Sequence, residues 1–154
     1  MHSRAIVLSA LTAHLSTMRI SFLLVPVLLL SACGDRPSPP TEPASSHILS
    51  PADGDTVSSE FLIRLGVSGA RVVPADGMRV VGEGHHHVFV DADLTPADST
   101  IPKTEGIYHI GSGADTLRVQ GLTPGTHRVI TRFAYGNHVP MTSVATDTIW
   151  VVVR

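Results

Sequence analysis

The sequence, 154 residues long, is poor in lysine, cysteine and aromatic side chains. Lys103 is its single lysine, Lys and Arg together number 11 against 13 Asp and Glu, and the formal net charge is −2. The basic footprint of a nucleic-acid-binding protein is therefore absent. One cysteine, Cys33, excludes an internal disulfide and a thiolate cage for zinc. Aromatic residues make up 5% of the chain, too few for a stacking platform interleaved with Lys and Arg. No apolar run reaches the about 20 residues that a membrane-spanning helix needs.

Familiar catalytic signatures are missing as well. Gly66-Val67-Ser68-Gly69-Ala70 lacks the final glycine of a nucleophile elbow. Gly82-Glu83-Gly84-His85 starts like a dinucleotide fingerprint, then enters a strand pattern. No H-E-x-x-H occurs. Asp91-Ala92-Asp93-Leu94-Thr95-Pro96 puts Thr and Pro where a calcium loop needs an oxygen-rich residue and a glycine. Its acids read as turn formers.

The first part of the chain reads as an address. The segment ISFLLVPVLLL, residues 20–30, follows Met18-Arg19 and precedes Ser31-Ala32-Cys33. A short basic start, a brief apolar stretch and small residues before a cut describe a secretory signal over 1–32. Residues 1–17 lengthen it without improving it, and Met18 serves equally as a start. Leu30-Ser31-Ala32-Cys33 resembles the lipobox of bacterial lipoproteins. That resemblance implies lipidation of Cys33, whose several acyl chains would hold the protein to a membrane. Gly34 after the cysteine implies, by the same resemblance, an outer-membrane address facing the periplasm. Residues 33–46 continue as a proline-rich spacer that cannot build a core.

Residues 47–154 have the texture of β structure. Short runs rich in Val, Ile and Thr alternate with Gly, Pro and Asp clusters. Strands are expected at 47–50, 57–67, 78–81, 85–91, 106–110, 115–120, 126–134 and 144–153. No window sustains a 3.6-residue apolar period. Seven or eight short strands in one domain predict an all-β, immunoglobulin-like antiparallel β-sandwich.

Histidine is what the chain has in excess, with 9 residues. His47, His85, His86, His87, His109, His127 and His138 lie beyond the signal. Alternation along a strand sends His85 and His87 to one face with Phe89 and Asp91, and His86 to the other with Val88 and Val90. The His86 face reads as core. Two imidazoles in a His-x-His pattern can share an ion, and imidazole suits copper, zinc and nickel. His109, His138 and Met141 offer further donors. A thioether from Met141 beside His138 leans toward copper. The competing reading is structural, with half-buried histidines that fix loops by hydrogen bonds. His127, alternating with Val129 and Thr131, reads as a surface or packing residue.

Three segments stand in a distinctive order: Leu49-Ser50-Pro51-Ala52-Asp53-Gly54-Asp55-Thr56-Val57, Gly84-His85-His86-His87-Val88-Phe89-Val90-Asp91, and Leu122-Thr123-Pro124-Gly125-Thr126-His127 leading to Asn137-His138-Val139-Pro140. This order resembles family 4399 of the exported bacterial domains of unknown function, over residues 48–154. The resemblance implies a secreted or lipid-anchored β-sandwich. It carries His85, His86, His87, His109 and His138 as matching positions. Family members often have a second histidine after the loop proline, where this chain has Met141.

Three functions follow. The first is an envelope lipoprotein that binds copper or zinc without catalysis. The second is a structural or interaction module in the envelope, with structural histidines. The third is a metal-assisted enzyme with Glu83 as base, which no further catalytic pattern supports. A non-enzymatic protein is the expectation.

Overall fold

The computed structural model describes residues 43–154. The expected signal, Cys33 and nearly all of the spacer lie outside the described residues. Nine strands occur among the described residues and no helix. They are β1 (Ser45–Ser50), β2 (Thr56–Val57), β3 (Glu60–Ser68), β4 (Arg71–Val72), β5 (Glu83–Val90), β6 (Ile107–Ile110), β7 (Thr116–Gln120), β8 (Gly125–Ala134) and β9 (Asp147–Val153).

Two sheets form. One has the order β1-β3-β7, and the other runs β2-β9-β8-β5-β4 with β6 also paired to β5. Period-2 patterning explains how they face each other. Ile63 and Leu65 point inward from β3 while Leu62 stays exposed. On β9, Ile149, Val151 and Val153 are buried while Trp150 is exposed. The inward sets meet in one core that joins Ile63, Leu65 and Val119 to Val88, Val90, Val129 and Val151. The result is an all-β, sandwich-like arrangement of two sheets, as expected, in which β2 pairs with β9 and β4 with β5 in parallel rather than antiparallel.

Strand β5 differs from its neighbours. Seven of its eight residues are buried, so both of its faces are covered. Val88 and Val90 enter the sandwich core, as the alternation predicts. Phe89, on the opposite face, packs with Ile130 and Ala134 of β8 and with Ile101 from the connection 91–106. That connection and the segment after β8 form a partial third layer. Burying a side chain such as Val88 or Phe89 contributes about 1.5–3 kcal/mol.

The strand expectations need correction: β4 at Arg71–Val72 lies outside every expected strand, and the last strand starts at Asp147 rather than at 144. Segment 57–67 is interrupted at Ser58-Ser59, which separates β2 from β3. β1 begins at Ser45, inside the expected spacer. Residues 78–81 are not a strand. Their neighbourhood bonds to turns rather than to a ladder: Ala75 N–H donates to Gly111 O (2.9 Å), Gly77 N–H to Gly136 O (3.1 Å), and Asn137 N–H to Met78 O (3.1 Å). Met78, Val80 and Val81 are left exposed. Their β-branched and apolar character imitated a strand without a partner to pair with.

Candidate metal centre

The covered outer face of β5 assembles the site. His85 and His87 share it by alternation. Antiparallel pairing of β5 with β6 sets His109 directly opposite His87. Directly opposite residues hold their Cβ atoms about 4.5–5.5 Å apart, so their side chains meet. The fourth imidazole comes from a turn. After β8 the chain doubles back, with His138 N–H donating to Tyr135 O (2.8 Å) and Tyr135 N–H to Val139 O (3.0 Å). His138 takes a φ of 66°, a left-handed conformation uncommon for a residue with a side chain. Its carbonyl accepts Ile101 N–H at 2.9 Å, which ties the turn to the connection 91–106.

The four rings are mutually close. Centroid separations run from 4.6 Å for His109 and His138 to 5.8 Å for His87 and His138. His85 lies 4.8 Å from His87, 4.9 Å from His109 and 5.0 Å from His138. Nε2 of His85 and Nε2 of His87 are 3.0 Å apart, and so are the Nε2 atoms of His109 and His138. One ligand atom from each of His85, His87 and His109 falls within 4.8 Å of the others. A tetrahedral ion with bonds of 2.0–2.1 Å spaces its nitrogens by about 3.3 Å. The His85–His87 and His109–His138 Nε2 separations are close to that spacing. Three nearby histidines can hold a metal ion, and the fourth stands beside them.

Burial shapes the protonation of the site. Desolvation first, and then the neighbouring histidines, lowers the pKa of His85 to about 4, with Asp76 opposing. Desolvation with the neighbouring histidines lowers His87 to about 2. His109 is lowered too, by burial, His138 and Lys103. These rings are neutral near pH 7, the form that binds metal. Nδ1 of His85 and Nδ1 of His87 have no hydrogen-bond partner although both are buried. A ring whose Nε2 points into the cluster while its other nitrogen is orphaned gains little from a purely hydrogen-bonding role.

Two glycines make room for the loop ligands. A Cβ on Gly111 would collide with the His109 ring. A Cβ on Gly136 would collide with the Asp76 carboxylate and lie 2.8 Å from Met78 O. Sequence reasoning passed over both, since their value lies in close approach and not in turn chemistry.

The expected donors thus divide. His85, His87, His109 and His138 converge. Met141 does not join them: it is 1% exposed and packs with Phe133 and Val144. Phe133 pairs with His86, which places this cluster on the other face of the sheet. The donor set is all nitrogen. Glu83, considered as a base, pairs with Arg71 at 2.5 Å.

The remaining histidines have other settings. His86 is fully buried, edge-on to Phe133 at 5.2 Å, with neither ring nitrogen partnered; burial lowers its pKa to about 4. His127 is 8% exposed, the packing alternative of its expected setting rather than the surface one. Its Nδ1 lies 2.6 Å from Asp91 Oδ2 and its Nε2 lies 2.8 Å from Thr123 O. A cavity of about 430 Å³ is lined by Asp91, Glu105, Tyr108, Gln120 and Leu122, and by none of the tetrad.

Residues 63–154 match the family described as Domain of unknown function (DUF4399). The chain belongs to this family. The DUF4399 match contains all four converging histidines, whereas Leu49 to Val57, part of the expected resemblance, falls before it. No curated protein matches the chain. Two solved structures align with this DUF4399 member, each over 72% of this chain and 20% of the other. One is an endo-beta-1,4-mannanase from Thermotoga petrophila, at 14% identity and a TM-score of 0.40. The second is an engineered protein, at 20% identity and a TM-score of 0.42. The chain spans about a fifth of the length of each.

Proposed function

We propose that this domain is a non-catalytic metal-binding module that holds a copper or zinc ion through His85, His87, His109 and His138. The observation that carries this reading is the convergence of four imidazoles with facing Nε2 atoms 3.0 Å apart. Neutral nitrogen donors suit Zn(II) and both oxidation states of copper. Binding would displace the protons now shared between facing nitrogens, so affinity depends on pH. The leader and lipobox support placing the module in the cell envelope, anchored to a membrane through Cys33 and facing the periplasm. Storage, delivery or sensing of the ion all fit such a position.

The test is titration of the purified full chain with Zn(II), Cu(II) and Cu(I) beside the His85→Ala, His87→Ala double variant. We expect one ion per chain, with loss of more than about a hundredfold in affinity in the double variant, since even outer partners of metal ligands are worth 10–100-fold. Equal affinities in the two proteins would overturn the reading.

A further inference from the structure

The segment 74–79 does more than connect β4 to β5. Ala75 bonds to Gly111, two residues beyond His109, and Gly77 bonds to Gly136, two residues before His138. Asp76 stands between these two anchors. Its Oδ1 accepts Met78 N–H at 2.8 Å and rests against Gly136, where a Cβ would not fit. Its carboxylate is thereby held against Gly136, two residues before His138. No Lys or Arg side chain pairs with it among the described residues.

Lys103 lies on the connection 91–106, which also reaches the site. The hydrogen bond from Ile101 N–H to His138 O fixes the connection two residues before it. Electrostatics agrees with both placements: Asp76 favours positive charge on His85, and Lys103 disfavours it on His109.

Imidazole binds a metal in its neutral form and so contributes no charge. A divalent ion among four such rings would bring two positive charges into a partly desolvated site, which is costly unless an anion stands near. Resting on the metal-binding reading above, we propose that Asp76 is the outer counter-charge of the site, a positioning and charge-selecting residue that favours divalent over monovalent ions, with Lys103 opposing it. Asp76 touches no ion. It acts by its field, from a segment that the Ala75 and Gly77 backbone bonds tie to the turns after His109 and before His138.

The Asp76→Asn variant separates these roles. Asparagine keeps an Oδ1 acceptor for Met78 N–H and removes only the charge. Coulomb work scales with the charge of the ion, so a factor lost for a monovalent ion is squared for a divalent one. Competition titrations of the full chain with Zn(II), and with Cu(I) under reducing conditions, read this directly. We expect Asp76→Asn to weaken Zn(II) about tenfold and Cu(I) about threefold. Lys103→Gln should strengthen Zn(II) about threefold and Cu(I) less than about twofold. A purely structural Asp76 would shift both ions by the same factor, and that result would overturn the proposal. So would no shift for either ion. If the unaltered chain binds neither ion, the metal-binding reading fails and this inference with it. If the unaltered chain binds both ions and Asp76→Asn leaves their ratio unchanged, only the role of Asp76 fails.

Discussion

Two kinds of histidine live within one domain. In the tetrad, rings sit against other rings, the Nδ1 atoms of His85 and His87 have no partner, and the pKa values of His85, His87 and His109 are driven down. At the start of β8, His127 faces a carboxylate and a carbonyl, and its pKa is raised, chiefly by the hydrogen bond to Asp91. His85, His87 and His127 are all buried, so burial does not separate them. The partner does. A carboxylate stabilises imidazolium, whereas a second imidazole offers a lone pair and leaves room for a cation other than a proton. Asp91 is built to face an imidazolium. It takes a φ of 53° and accepts Arg128 N–H at 2.9 Å, and its own pKa is lowered by His127 and Arg128 against the cost of its burial.

The sharpest way to break this contrast is to remove one histidine from each environment. His87→Ala should cost more than about a hundredfold in metal affinity. It should leave the metal-free fold close to its original stability, because an orphaned polar group goes with it. His127→Ala should leave metal affinity unchanged. A His127→Ala protein that lost its ion would merge the two environments into one. Isothermal titration with Zn(II) checks both.

A subtler variant moves a ligand without deleting it. Gly111→Ala must push the His109 ring aside, and we expect about a tenfold loss of Zn(II) affinity. Unchanged affinity would mean that His109 is dispensable.

Acid should act on the two environments with opposite sign. His85 and His87 have folded pKa values near 4 and 2, below the unfolded value near 6.5. The unfolded chain therefore binds more protons as pH falls below about 6.5, and the metal-free fold loses stability from there toward pH 4. Replacing both by Gln should flatten that loss in thermal melts recorded with chelator. His127 runs the other way. Its raised folded pKa gives stability that is complete below about 6.5 and lost as pH rises through the folded pKa. Asp91, lowered, contributes above its unfolded value near 3.8 and loses that contribution as pH falls through its folded pKa. The pair is thus strongest between about pH 4 and 6.5. His127→Gln should cost about 1 kcal/mol in that window, a modest figure because Asp91 is half exposed and water screens the pair. A penalty that grew above pH 7 would contradict the assignment.

Much of this architecture was legible in the residues. Alternation on β5 placed His85 and His87 together, and put Val88 and Val90 into the sandwich core, as found. Turn clusters marked most strand ends. Other features were hidden for definite reasons. Met78, Val80 and Val81 have strand-like chemistry, yet strand formation needs a partner edge, which no local pattern reports. The second cover over β5 was invisible because it is supplied by the connection 91–106, through Ile101. Met141 looked like a donor from its place near His138. One residue on a folding-back segment decides which face a side chain takes, and Met141 went to the face of Phe133.

By itself the sequence determined an all-β domain, a strand with two histidines on one face, and a pool of further histidines downstream. Those follow from composition and a two-residue period, which are local. Tertiary structure alone decided that His109 stands opposite His87, that the turn at His138 closes over them, and that Asp76 is held against Gly136. Each depends on strand register or on hydrogen bonds between segments about 20 to 60 residues apart in the chain. Such contacts are selected by packing of the whole fold, so no stretch of sequence encodes them on its own.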